Sequence, residues 1–199
     1  AASDVYKRQD LARTAALHLL NSWEGHKKPI DELLSSLDVS LSDDRDRRFA
    51  RQLVLGTLRW RLRLDWIIGH FSRRPVDELE KRVLNILRMG ILQISILDRV
   101  PERAAIHTSV ELAKRQGARS ASGLINAILR SFQREPNRVQ YPDPNDDITR
   151  YLSLHYSHPS WLVERWIQQW DVEKTRGILA SNNEHTPLWL RLNPLRSTP

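Results

Sequence analysis

Residues 45–63 read RDRRFARQLVLGTLRWRLR. Two patterns overlap in this run. Phe49, Leu53, Trp60 and Leu64 recur at helical spacing, with Gly56 and Thr57 on the same side. The arginines fall mainly off that stripe, as on an amphipathic surface helix. Ser42 is the expected N-cap of this helix, and a break is expected near Arg63 to Asp65. Read on to Arg74, the segment holds nine arginines against Asp46 and Asp65, a net +7 that equals the formal charge of the whole chain. Residues 1–44, 75–131 and 132–199 carry −3, +3 and 0, so the excess is local. A localised arginine surface points to a phosphate-bearing partner. Guanidinium suits bidentate phosphate contact and stacking better than ammonium does. The plainer alternative is a solvated face whose arginine stems cover apolar surface.

Around this run the composition is that of a helical protein. The 199 residues are 40% hydrophobic with only 7 glycines, and Leu, Ile, Ala and Trp supply most apolar positions. The expected fold class is all-α. Without a single cysteine the chain can form neither a disulfide nor a cysteine-ligated zinc site. An intracellular, cytoplasmic protein is the expectation. The apolar runs are short and broken by arginines, so none can span a bilayer, and residues 1–10 lack the apolar core of a signal peptide. Residues 1–9 also lack the periodicity that follows and read as a leader foreign to the domain.

The remaining elements follow from spacing and punctuation. A first helix is expected from Asp10, as N-cap, to Trp23, with Ala12, Ala16, Leu19, Leu20 and Trp23 inward and Gly25 as its stop. Pro29 opens a short helix with Ile30, Leu33, Leu34 and Leu37 inward. Trp66, Ile67, Ile68 and Phe71 belong to a helix ended by Pro75. Residues 77–97 form the most hydrophobic helix, expected to be central. Pro101 takes the first position of the next, which ends before Gly117. Another runs over 120–134. Residues 135–149, with Pro136, Pro142 and Pro144, read as a linker. Helical pieces at 149–156, 159–170 and 173–182 follow, and residues 187–193 alternate like a strand.

Other constellations carry little. Trp23, Trp60 and Trp66 lie on apolar stripes and are expected in the core rather than stacking on bases. Trp161, Trp166 and Trp170 are expected to pin one small helix to its neighbour. His155 and His158 lack a third ligand at metal spacing. There is no dinucleotide fingerprint, P-loop or nucleophile elbow. Nothing in the 199 residues argues for catalysis.

Four motifs in order resemble signatures of the NusB-like RNA-binding domain. They are Arg48-Phe-Ala-Arg-Gln-Leu-Val-Leu-Gly-Thr-Leu-Arg59 with Leu64-Asp65, then Ile86-Leu-Arg-Met-Gly-Ile-Leu-Gln93 with Leu97-Asp-Arg-Val-Pro101, then Ala104-Ala-Ile-His-Thr-Ser-Val-Glu-Leu-Ala-Lys114, and Gly123-Leu-Ile-Asn-Ala-Ile-Leu-Arg130. Further on, His158-Pro-Ser-Trp-Leu-Val163, Asn182-Asn183 and Leu190-Arg-Leu-Asn193 resemble the segment joining that domain to the catalytic part of bacterial ribosomal RNA cytosine-C5 methyltransferases of the Sun/Fmu group. The resemblance implies a NusB-like helical bundle over 10–134, a linker at 135–149, and from 150 the start of a short α/β joining segment.

It also implies a function. The chain would be the RNA-binding N-terminal part of an S-adenosylmethionine-dependent enzyme, positioning small-subunit ribosomal RNA. An intramolecular contact with a downstream catalytic domain is expected; DNA and membranes are not expected partners. The alternative within the same resemblance is a stand-alone NusB-type transcription antitermination regulator. RNA binding in the matching domain is associated with the basic face around the N-terminal helix, which makes Arg13, Lys27, Lys28, Arg47, Arg48, Arg51, Arg59 and Arg63 the candidate contacts. Arg59 and Arg130 close two motifs and are equally compatible with ion pairs inside the bundle. Asn126 is expected to satisfy backbone groups between helices. Methylation at cytosine C5 needs a nucleophile at C6, for which the family uses a cysteine thiolate. With no cysteine here, no catalytic, metal or cofactor-binding residue is assigned, and these residues alone are expected to transfer no methyl group.

Overall fold

The structure, a computed structural model, describes residues 2–25, 29–98 and 100–184, with side chains from Leu11 onward except Gly25 and Asp38. Every residue from Val83 to Gln93 is buried. They form the middle of α5 (Lys81–Ser95), the axis of the fold as the apolar run predicts. Around it stand α1 (Ala2–Gly25), α2 (Ile30–Ser40), α3 (Asp44–Arg59), α4 (Arg61–Phe71), α6 (Glu102–Arg115) and α7 (Ser122–Arg134). Helices α1, α3, α4, α6 and α7 all pack on α5, and α2 closes over α1 and α3. Ile86, Leu87, Ile91 and Leu92 are wholly buried, and each such side chain contributes about 1.5–3 kcal/mol. Gly90 lets α7 come close: a Cβ there would meet Leu129 Cδ1 at 2.8 Å and Ser109 Oγ at 3.1 Å.

A second, smaller cluster follows. α8 (Ile148–Tyr156), α9 (Ser160–Gln169) and α10 (Val172–Asn183) close around Leu152, Val163 and Leu179. Asp147 and Asp171 cap α8 and α10 by accepting from the backbone N–H of Arg150 and Lys174. α8 ends on Ser157 in the left-handed region (φ 58°), and His158 N–H returns to the Ser153 carbonyl at 3.0 Å. Pro159 then blocks continuation. All ten α-helices among the described residues conform to the all-α expectation; the strand expected at 187–193 lies outside them.

Several boundaries differ from expectation: α5 starts at Lys81 rather than 77, behind a separate turn at Val76–Glu78, and Pro101 caps α6 rather than opening it. α1 begins at Ala2, so Asp10 is inside the helix and not its cap. Residues 2–9 hold no glycine or proline to stop helix propagation, and apolar periodicity reports burial rather than helicity. The cap of α3 is Asp43, whose carboxylate accepts from Arg45 N–H at 2.7 Å, one residue beyond Ser42. The break falls at Trp60 (φ −94°, ψ 11°), so Leu64 belongs to α4. Bonds from Trp60 to Gly56 and from Leu64 to Trp60 keep the i→i−4 pattern on both sides, which hides the break from a periodicity argument.

Candidate nucleic-acid interface

Burial divides α3 sharply. Ala50, Leu53, Val54 and Thr57 face inward, while Arg45, Arg48, Gln52, Leu55 and Arg59 are exposed. The exposed set is spaced three, four, three and four residues apart, one straight line on the outer face. At 1.5 Å per residue, Arg45 and Arg59 stand about 21 Å apart along it. No ion pair within 4 Å involves Arg45, Arg48 or Arg59 among the described residues, although the exposed Asp44 one turn away acts on Arg48 through its charge. Their guanidinium groups are available to a ligand.

The other candidates are placed differently. Arg13 is a correction: it is 1% exposed. Its Nε donates to Gln93 Oε1 at 2.8 Å, and its guanidinium lies over the Phe49 ring at 5.0 Å. It pins α1 to α3 and α5, and burial pushes its pKa down to about 10. It sits one turn before Ala16 and Leu17 on the inward face of α1, out of reach of an external phosphate. Arg47 is half-buried, donating to the Leu41 carbonyl at 2.9 Å and pairing with Asp44. That pair holds the Asp44 carboxyl below the usual range, through its hydrogen bond and then its charge. Arg51 is half-buried and engaged. Lys27 and Lys28 lie outside the described residues. Of the ion-pair alternatives, Arg59 is solvent-facing, and Arg130 is exposed and bonds Asn126 Oδ1 at 3.1 Å. Asn126 thus serves a side chain on its own helix, not backbone groups between helices.

The internal ion pair belongs to Arg88, which the sequence reading passed over. Its Nε and Nη2 donate to the two oxygens of Asp65 at 2.6 and 2.8 Å. Nη1 donates to Glu24 Oε1 at 2.7 Å and Asn85 Oδ1 at 2.9 Å. Asn85 in turn bonds Asn21 at 3.0 Å. The cluster ties α1, α4 and α5 together. It also takes up Asp65, one of the two acids of the arginine-rich segment. The signal was an arginine inside an apolar run, since a charge there needs partners.

Arg63 is not a free contact either. Its Nη1 donates to the His155 carbonyl at 3.2 Å, and its guanidinium lies over Trp60 and Tyr141 at 5.4 and 5.9 Å. Beside it, Leu62 N–H donates to Ser157 Oγ at 3.1 Å and Trp66 Nε1 donates to the Gln140 carbonyl at 3.1 Å. Arg63 is therefore a strut that seats the α8–α10 unit beside the start of α4, just past the end of the α3 line. Trp23, Trp60 and Trp66 are half-buried rather than fully interior, each under an arginine: Arg61, Arg63 and Arg150. Trp166 packs into the α8–α10 cluster as expected, but Trp161 is 63% exposed and pins nothing.

His155 stands in this seam. Its ring stacks on Tyr151 at 5.4 Å and meets Tyr141 and Tyr156 edge-on. Burial, then the charges of Arg63 and Arg176, hold its pKa below the ordinary value. The folded state thus binds fewer protons than the unfolded one, so stability is present above the unfolded value near 6.5 and is lost as pH falls through the folded value. The melting temperature should drop between pH 7.5 and 5.5, and His155→Phe, which keeps a stacked ring, should reduce that drop. Parallel melting curves of the two proteins by circular dichroism check this; an identical pH dependence would refute it. No group of three or more His, Cys, Asp or Glu suited to a metal occurs among the described residues. No helix among them is long and apolar enough to cross a membrane.

A family model described as the NusB family matches residues 10–134. The chain belongs to the NusB family. A second model, described as the Methyltr_RsmF/B-like, ferredoxin-like domain, matches residues 158–199, following the NusB domain. The chain is 32% identical over 186 residues to a probable ribosomal RNA small subunit methyltransferase B of Bacillus subtilis, covering 93% of this chain and 41% of that protein. To the ribosomal RNA small subunit methyltransferase B of Escherichia coli it is 31% identical over 187 residues, covering 94% and 42%. A probable enzyme of the same name from Synechocystis is 35% identical over 153 residues, covering 77% and 34%. The chain thus spans about two fifths or less of the length of these relatives. Among solved structures, the NusB domain is similar to a chain in the complex of antitermination factors NusB and NusE with dsRNA, with a TM-score of 0.57 at 21% identity, covering 65% of this chain and 96% of that one. PH0851 is similar over 90% of this chain and 39% of its own, with a TM-score of 0.66 at 15% identity. Both likenesses are of fold.

Proposed function

We propose that this chain is the RNA-holding N-terminal part of a ribosomal RNA cytosine-C5 methyltransferase acting on the small subunit, with α3 as the gripping face. The observation that carries the reading is the line of unpaired guanidinium groups on α3, ending where Arg63 and Ser157 seat the following unit. Contacts to phosphate fix register and orientation without reading sequence. Held this way, the RNA has a raised effective concentration at an active site farther along the protein. The division that goes with this reading is a gripping domain over 10–134, a linker at 135–149, and a joining segment from 150. It is supported by relatives named as small-subunit ribosomal RNA methyltransferases and by the RsmF/B-like match at 158–199, which a stand-alone antitermination regulator would not need.

The methyl donor of such an enzyme is S-adenosylmethionine. The described residues do not fit it. One surface hollow is lined by Leu11, Leu33, Leu37 and small hydroxyl side chains, and another by Arg82, Arg115, His18, Asn21 and the single Gly117, neither with a glycine-rich turn for an adenosyl group. No step is derived through it. The test of the reading is affinity for a small-subunit ribosomal RNA fragment as salt is raised. The logarithm of the binding constant should fall linearly with the logarithm of salt concentration, with a slope of about −2 or steeper for three phosphate contacts. A flat response would overturn it.

A further inference from the structure

The middle of the α3 line differs from its ends. Arg45 and Arg48 stand at one end and Arg59 at the other, while Gln52 and Leu55 between them are exposed and uncharged. Leu55 is 43% exposed, and the neutral stretch separates Arg48 from Arg59 by about 16 Å of helix. A single strand laid along this face would place phosphates over Gln52 and Leu55, which offer them no charge. Two phosphate rows flanking a groove match the arrangement better. The floor between them should be uncharged and carry hydroxyl groups for an amide that both donates and accepts.

Building on the function proposed above, we infer that α3 lies across the minor groove of double-stranded RNA. Arg45 and Arg48 meet phosphates of one strand, Arg59 meets those of the other, and Gln52 hydrogen-bonds the 2′-hydroxyls between. The A-form minor groove is wide and shallow and displays those hydroxyls. B-form DNA disfavours the same pose, because its minor groove, about 6 Å wide, sets the two phosphate rows closer together than the span of about 16 Å from Arg48 to Arg59. On DNA the helix fits the major groove, where 2′-hydroxyls are absent. Gln52 is thereby the residue that separates RNA from DNA, and the arginines supply affinity common to both.

The experiment uses the full 199-residue chain and three fluorescent probes. These are an RNA hairpin with about 16 paired bases, the length a minor-groove reader of RNA spans, the same duplex in DNA, and one unpaired RNA strand. Anisotropy titrations should rank duplex RNA first. Gln52→Ala should weaken duplex RNA about fivefold, as loss of one or two modest hydrogen bonds does, and leave the DNA affinity unchanged. Arg59→Gln should weaken RNA and DNA alike and lower the salt slope by about one. Both side chains are exposed, so circular dichroism should confirm that the variants fold. Equal or tighter binding of the unpaired strand would overturn the duplex inference and leave the gripping role standing, as would a Gln52→Ala loss shared by RNA and DNA. Failure to bind any RNA would remove the gripping role itself.

Discussion

Arg88→Met should destabilise the chain by about 3 kcal/mol or more, the range for breaking a buried ion pair by removing one partner. Burial works against the charge on Arg88, but its hydrogen bonds and attraction to Asp65, then Glu24, outweigh that and hold its pKa above the ordinary value. Methionine fills a similar volume, so little of the loss comes from packing. The loss comes mainly from Asp65, 25% exposed and left without its cation, and less from Glu24, 11% exposed, which keeps Arg61 at 3.7 Å. Asp65 retains some water, which places the expected value at the lower end of the range. Against a total stability of about 5–15 kcal/mol this is large. Urea titration should show a lower midpoint at unchanged slope. Adding Asp65→Asn and Glu24→Gln should recover most of the loss, because the stranded charges are then gone. A cost under about 1 kcal/mol for Arg88→Met would mean the cluster is not a structural clasp.

The number and order of the NusB-domain helices were legible because each core-facing stripe is long and bounded by Pro, Gly or an acidic cap. The identity of the central helix was legible for the same reason: eleven consecutive positions of α5 are buried, and all but Asn85, Arg88 and Gln93 are apolar or glycine. What sequence hid was the use of the arginines. Composition counts Arg13, Arg48, Arg61 and Arg63 alike, yet one lies in the core, one in solvent, one over Trp23 beside Glu24, and one in the seam with α8. Those destinations depend mainly on partners 36 to 92 residues away along the chain, from Phe49 for Arg13 to the His155 carbonyl for Arg63. Arg59 against Arg88 is the sharpest case. Both close or interrupt an apolar pattern, but Arg88 has Leu84, Ile91 and Leu92 at three of its four i±3 and i±4 positions, with Asn85 at the fourth, and it is the one inside. The run at 45–74 reads as one basic surface; folded, it splits into a line on α3 and an exposed pair, Arg73 and Arg74, past the end of α4.

That split sets up the second large effect. Replacing Arg45, Arg48 and Arg59 together by glutamate should abolish measurable binding to ribosomal RNA fragments at moderate salt, a loss of at least a hundredfold. Three phosphate contacts become three repulsions, and the counterion-release slope should flatten by about 2–3. Replacing Arg73 and Arg74 by glutamate changes the net charge by two thirds as much but leaves the α3 line intact. If the protein attracts RNA only through its overall field, the two variants should weaken binding in proportion to charge, by the long-range steering that any basic surface provides. If α3 is the contact face, the α3 variant should lose far more, and only its slope should flatten. Stability offers the control, since surface substitutions of this kind stay within about 0.5 kcal/mol, and among the described residues none of the five side chains makes an ion pair within 4 Å. Comparable losses from the two variants would place the RNA on the field of the whole protein and remove α3 from the argument.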